Sequence, residues 1–147
     1  MFTIRRACKQ NAGFIRRLIR QVGINPLGLD WQRFVVAVHE DGERIGCAQL
    51  KIHSDQSHEL ASVAVAPAYR KQGVADAMIR EILNEQTGPV YLTCRGSITS
   101  FYERYDFQEM TNLATMPAYF RKVKKAFTWL ERLKWAERLA VMVRNGE

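Results

Sequence analysis

The sequence is short of the features that mark most specialised classes. Its 147 residues include three histidines and three cysteines, Cys8, Cys47 and Cys94, widely spaced and with no CxxC pair. That set fits reduced thiols in a cytoplasm better than a disulfide framework or a zinc site, and no metal is expected. No apolar run approaches the ~20 residues that span a bilayer. MFTIRRACKQ has no apolar stretch after its charges, so no signal peptide is read there. Repeats, low-complexity tracts and linker-like stretches are missing, which points to one domain over residues 1–147. Acid is in deficit, with 15 acidic against 22 basic residues and a net charge of +7. The excess favours an anionic partner. No helix-turn-helix, zinc or RNA-recognition motif accompanies it, so nucleic acid is not expected.

What is present alternates between strand and helix. Phe2–Arg6 fits a first strand. Asn11 offers a helix cap, and Phe14, Ile15, Leu18, Ile19 and Val22 then recur at helical spacing until Gly23 stops them. The loop INPLGLDW follows. Phe34–His39 and Arg44–His53 form a hairpin about Asp41-Gly42. Glu59–Ala66 is a strand whose near-continuous apolar character predicts burial on both faces. A helix runs from Val74 to Thr87-Gly88-Pro89, and Val90–Cys94 is a further strand. Ser97–Tyr105 fits a short helix and Phe107–Met110 a short strand. From Pro117 to Lys134, Tyr119, Phe120, Val123, Ala126, Phe127, Leu130 and Leu133 share one helical arc, with Arg121, Lys122, Lys124, Lys125 and Arg132 outside it. Glu137–Arg144 closes the chain as a strand. The order predicts an α/β (α+β) sandwich.

The informative stretch is VAVAPAYRKQGVADAMI, Val63 to Ile79. A strand gives way to a helix through a join with no Ser, Thr, Asp or Asn to cap the helix start. Such a start leaves about four amides unpaired and carries about half a positive charge. Arg70 and Lys71 add to it, and Gly73 lets a bulky group approach the backbone. The join suits phosphate oxygens; amides that are merely hydrated are the alternative. It is neither a P-loop nor a GxGxxG fingerprint.

LASVAVAPAYRKQGVADAMI resembles the central motif of the GNAT superfamily of N-acetyltransferases, in which a strand precedes x-P-x-[WY]-R and [QR]-x-x-G-x-[GA]. Ala64, Val65, Pro67, Tyr69, Arg70, Gly73 and Ala75 match. SFYERYDF resembles a later motif, [LF]-Y-E-[KR]-x-G-F, through Phe101, Tyr102, Glu103, Arg104 and Phe107. Asp106 stands where the family has glycine, a position asking for a left-handed backbone that Asp tolerates. Arg95 stands where an asparagine often contacts CoA. The resemblance covers Phe2 to Met110. It implies a mixed, mostly antiparallel sheet flanked by helices, with the basic amphipathic helix as an extra before the last strand.

It further implies acetyl-CoA as co-substrate and transfer of its acetyl group to an amine. The amides of Lys71, Gln72, Gly73, Val74 and Ala75, with Arg70, would hold the pyrophosphate; Val63, Ala64 and Val65 would line the pantetheine arm. The Val65 amide would stabilise the oxyanion and Tyr102 would protonate the departing thiolate, its alternative being a packing aromatic. Glu59 would take the amine proton, or be a strand-end carboxylate in a salt bridge. With regular alternation, residues 59, 61, 63 and 65 share one face. Asp30 and Trp31 would hold an ammonium and wall the acceptor pocket, or serve as a helix cap and a core aromatic. Cys94 offers a covalent acetyl route or is a buried thiol. His39, His53 and His58 receive no role. The acceptor would be a small-molecule or peptide amine. An acyl-CoA-binding or membrane-surface regulatory module on the same fold without robust catalysis, its membrane contact made through the basic helix and exposed Trp129, is a second reading, and that helix and the last strand are candidate homodimer surfaces.

Overall fold

The computed structural model describes residues 1–134 and 136–146. Seven strands follow the order β1-β2-β3-β4-β5-β7-β6: β1 (Phe2–Arg6), β2 (Phe34–His39), β3 (Arg44–Ile52), β4 (His58–Val65), β5 (Val90–Arg95), β6 (Gln108–Met110) and β7 (Leu139–Arg144). The β4–β5 ladder is parallel, registering His58 with Val90 and Glu59 with Tyr91. The ladders β1–β2, β2–β3, β5–β7 and β6–β7 are antiparallel. The helices are α1 (Ala12–Val22), α2 (Val74–Asn84), α3 (Thr99–Glu103) and α4 (Ala118–Arg132). The mixed, mostly antiparallel sheet with flanking helices and an additional basic helix before the last strand is the expected architecture.

The chain divides into two compact units, Met1–Lys51 with Leu60–Glu85, and Ile52–Glu59 with Gln86–Glu147. In the first, Ile15, Leu18 and Ile19 of α1 pack with Phe34, Val36, Val38, Cys47 and Ala64. Gly46 lets α2 approach β3: a Cβ there would stand 3.0 Å from Met78 Cε and 3.2 Å from Val74 Cγ1. In the second, Phe120 of α4 is buried with Met116 and Val141, and Tyr91, Met110 and Tyr119 pack against them.

Four local expectations change. Asn11 does not cap α1 by its side chain; its Oδ1 accepts from the Cys8 amide at 2.8 Å, bracing the turn ahead of the helix. Ala126 in α4 and Leu133 just after it are exposed although they fall on the apolar arc; Tyr119 and Phe120, at its start, are the arc residues that join the cluster with Met116 and Val141. β4 is not buried on both faces: Leu60, Ser62 and Ala64 are buried, whereas Ala61, Val63 and Val65 are half-buried. Ser62 has φ 57, and a residue in the left-handed region kinks a strand. Burial alternates from Leu60 to Val65, but Glu59 and Leu60 are both buried, so that alternation does not extend back to Glu59.

Candidate active site

The join after β4 is a tight turn that runs into the start of α2. Ala66–Arg70 forms a tight turn, with the Tyr69 amide on Ala66 O at 2.9 Å. The Tyr69 hydroxyl donates to Glu43 Oε2 at 2.6 Å, tying the turn to the β2–β3 hairpin. Arg70 Nε reaches back to Val65 O at 3.4 Å. Lys71 and Gly73 are left-handed, with φ 63 and 82, and Gly73 opens α2 without a side-chain cap. Among the described residues no acceptor pairs with the amides of Lys71, Gln72, Gly73, Val74 or Ala75. A Cβ on Gly73 would meet nothing within 4 Å, so the space beside Gly73 is open. Unpaired donors in a concave turn beside Arg70 and Lys71 fit a diphosphate. Val63, Ala64 and Val65 lead into this turn, and the half-buried face of Val63 and Val65 leaves room beside the strand.

The loop before β2 lies in the same unit. Asp30 Oδ1 accepts from the Gln32 amide at 3.1 Å, capping the short turn Trp31–Arg33. Trp31 is half-buried, packs on the α1 core and walls a groove with Ile15, Arg16, Arg20 and Leu29. Gln49, fully buried, joins this loop to β4. Its Nε2 donates to Gly28 O at 3.0 Å, and its Oε1 accepts from Ser62 Oγ at 3.2 Å.

The second unit holds the remaining candidates. Glu59 Oε1 lies 2.7 Å from His53 Nε2. Both side chains are largely enclosed, at 7% and 14% exposure. Tyr119 stacks on His53 at 3.6 Å between ring centroids, and Phe120 meets it edge-on at 5.7 Å. His53 received no role from sequence. The turn Ser54–Ser57 folds it back onto Glu59, and a histidine and a carboxylate flanking a polar turn between two strands is the signal that marks the pair. Glu59 Oε2 has no described partner. Because every fully enclosed side-chain oxygen or nitrogen among the described residues has one, Oε2 keeps an opening.

Asp55 anchors this cluster. Its Oδ1 accepts from the Ser57 amide and hydroxyl at 2.9 and 2.5 Å, and its Oδ2 from the Tyr119 amide at 3.0 Å. These bonds, led by the Ser57 hydroxyl, pull the carboxyl down to about 2. A carboxyl lowered from its ordinary value near ~3.9 stabilises the fold above that value and loses the contribution as pH falls toward 2. The acid unfolding limb of the wild type is expected to steepen between about pH 4 and 2. In Asp55→Asn, circular dichroism should show that part of the limb flattened.

Tyr102 sits on α3 with its ring edge-on to Phe101 and Phe107 at 5.0 and 6.2 Å. Burial pushes its phenol up to about 12, with the neighbouring Cys94 adding to the shift, so it is protonated throughout the neutral range. Its hydroxyl has no described partner and, like Glu59 Oε2, is not fully enclosed. Asp106, closing the turn after α3, has φ 69, the left-handed backbone its place in the motif required. Cys94 is buried with its Sγ 3.9 Å from Met142 Sδ, and burial raises its thiol. No described contact joins Tyr102 to Glu59.

An open turn of unpaired amides thus joins β4 to the uncapped start of α2 on a mixed sheet. The family described as "Acetyltransferase (GNAT) domain" matches residues 30–109, more than half of the chain. The protein belongs to that family. No curated protein matches the sequence. Solved structures share the fold. N-acetylglutamate synthase from Neisseria gonorrhoeae, complexed with coenzyme A and N-acetyl-glutamate, is 20% identical with a TM-score of 0.77, over 100% of this chain and 35% of that one. This chain thus spans about a third of the synthase. The ribosomal-protein-S18-alanine N-acetyltransferase from Escherichia coli is 16% identical with a TM-score of 0.69, over 100% and 95%. Diaminobutyrate acetyltransferase EctA from Paenibacillus lautus, in complex with L-2,4-diaminobutyric acid and coenzyme A, is 18% identical with a TM-score of 0.65, over 99% and 95%. At these identities the likeness is one of fold. Among the described residues no group of His, Cys, Asp or Glu is placed to hold a metal, and no helix is long and apolar enough to cross a membrane.

Proposed function

We propose that this protein transfers the acetyl group of acetyl-CoA directly to a primary amine. The observation that carries the reading is the open run of amides from Lys71 to Ala75 behind Arg70. They hold the diphosphate, and the edge of β4 at Val63 to Val65 lines the pantetheine arm. Acetyl-CoA supplies a thioester carbonyl. The Val65 amide donates to the oxygen on which charge develops; a donor preorganised in this way is worth roughly 2.7–4 kcal/mol. Glu59 takes the amine proton through Oε2, directly or through a water, while His53 fixes the carboxylate by its bond to Oε1. Tyr102 donates its phenolic hydrogen toward the departing sulfur.

Direct transfer is favoured over an acetyl-cysteine route because Cys94 is buried, its thiol is raised and no described histidine pairs with it. A thiol above its ordinary value is a poor nucleophile at neutral pH. Cys94→Ala is accordingly expected to keep turnover within about threefold of wild type and to show no burst of thiol release in rapid mixing.

The basic face of α4 is partly committed inside the protein. Arg121 donates to the carbonyls of Leu113 and Met116, and Lys124 to that of Leu139. These bonds support the reading of α4 as a packed helix rather than a membrane-surface element.

The test is a thiol-release screen with acetyl-CoA over free amino acids, amino-acid amides, polyamines and peptides. CoA release that requires an amine supports the function. No release with any amine, together with no heat on titration with millimolar acetyl-CoA, contradicts it.

A further inference from the structure

The groove between α1 and the loop before β2 has a chemistry of its own. It measures about 360 Å³, within the range of small-molecule sites. Its floor and walls are apolar, from Ile15, Leu29 and Trp31, and its charged lining residues are Arg16 and Arg20. These two are four residues apart on α1, so their guanidiniums rise from neighbouring positions of one helix face. Neither has an acidic partner among the described residues. Like charges at this spacing repel, and an anion between them relieves the repulsion. Asp30 is not among the lining residues, and its Oδ1 is occupied by the Gln32 amide.

The groove is also tied to the transfer strand. Gly28, one of its lining residues, accepts through its carbonyl from Gln49, and Gln49 accepts from Ser62 at the kink of β4. Ser62 lies three residues ahead of Val65. A buried amide bonded at both ends fixes the loop against that kink. The loop that walls the groove is thus braced against β4 through Gln49, while the guanidiniums stand on its α1 side.

From this we infer that the amine acceptor carries a carboxylate, which Arg16 and Arg20 bind while Trp31 and Leu29 cover its aliphatic part. The inference rests on the acetyl transfer proposed above and names the acceptor class for it: amino acids and related amino-carboxylates. Polyamines and other wholly cationic amines meet two unneutralised guanidiniums and are disfavoured. Arginine forks match carboxylate geometry with two parallel bonds, and a hydrogen bond to a charged group contributes about 1.5–3 kcal/mol. That range corresponds to a preference of about 10- to 100-fold.

The experiment compares matched acceptors, each L-amino acid against its α-amide, by kcat/KM for thiol release in the wild type and in Arg16→Gln/Arg20→Gln. The two arginines are exposed, so the double variant is expected to fold, with unchanged circular dichroism and unchanged affinity for CoA. In the wild type the acid should be favoured about tenfold or more. In the double variant the ratio should fall to within about threefold of unity. An equal or greater rate with the amides, or an acid preference that survives the double substitution, overturns the inference while leaving acetyl transfer intact. Should CoA bind but no acceptor turn over, calorimetry with the same acids and amides decides. Heat with acids that vanishes in the double variant supports the carboxylate site, and no heat with any acid at 10-fold above typical millimolar levels overturns it. Failure of the enzyme reading itself has a different signature, in which CoA does not bind at all.

Discussion

Tyr102→Phe is expected to lower kcat about 100-fold with little change in KM for acetyl-CoA. The substitution keeps the ring that packs edge-on to Phe101 and Phe107 and removes only the hydroxyl. That hydroxyl has no described partner, so its loss orphans nothing and stability should stay within about 0.5 kcal/mol. The size of the effect follows from the phenol's raised position near 12. A thiol of ordinary acidity, near ~8.5, is some ~3.5 units stronger as an acid. Full transfer from Tyr102 to a solvated thiolate is therefore uphill, and a hydrogen bond to a desolvated sulfur is the larger contribution. The expected loss accordingly sits at the lower end of the ~10²–10⁴ range for proton-transfer catalysis. The same phenol adds no descending limb to the rate profile below pH 10. A drop of less than twofold would remove Tyr102 from the chemistry.

The second large effect belongs to Glu59. Glu59→Gln should reduce kcat/KM by about 10²-fold or more at neutral pH, and its pH profile identifies the cause. Without a base only the unprotonated amine reacts. For a lysine-like amine of pKa ~10.4, log kcat/KM should then climb one unit per pH unit almost to that value. The wild type should level off at lower pH, and the two curves should converge in alkali. A carboxylate serving only to hold the fold would give a loss independent of pH. His53→Asn should shift the same profile part of the way, because His53 acts by fixing the carboxylate from 2.7 Å. Parallel curves for the wild type and Glu59→Gln would exclude Glu59 as the base.

What the sequence discloses of this site is its local part. The uncapped start of α2, the hairpin about Asp41-Gly42 and the left-handed Asp106 each follow from residues adjacent in the chain, and each is found. The pairing of Glu59 with His53 depends on a register across the Ser54–Ser57 turn, and the stacking of Tyr119 on His53 brings α4 in from more than sixty residues away. Neither is encoded by a local pattern. The kink at Ser62 is similarly hidden, because serine in a strand gives no warning of a positive φ; Gln49 and its bond to Ser62 show what holds it only once β3 is in place. Asp30 illustrates the converse. A residue offering two roles from sequence is seen to cap a turn, and the charge facing the groove is basic instead.

The central claim concerns five backbone amides, and amide NMR of the 15N-labelled protein during titration with CoA reads them directly. Binding should move the resonances of Lys71, Gln72, Gly73, Val74 and Ala75 more than those of any other segment, with dephospho-pantetheine, which lacks the diphosphate, leaving them in place. If CoA saturates the protein while those five resonances stay still, the turn does not hold the nucleotide and the account of the site is wrong.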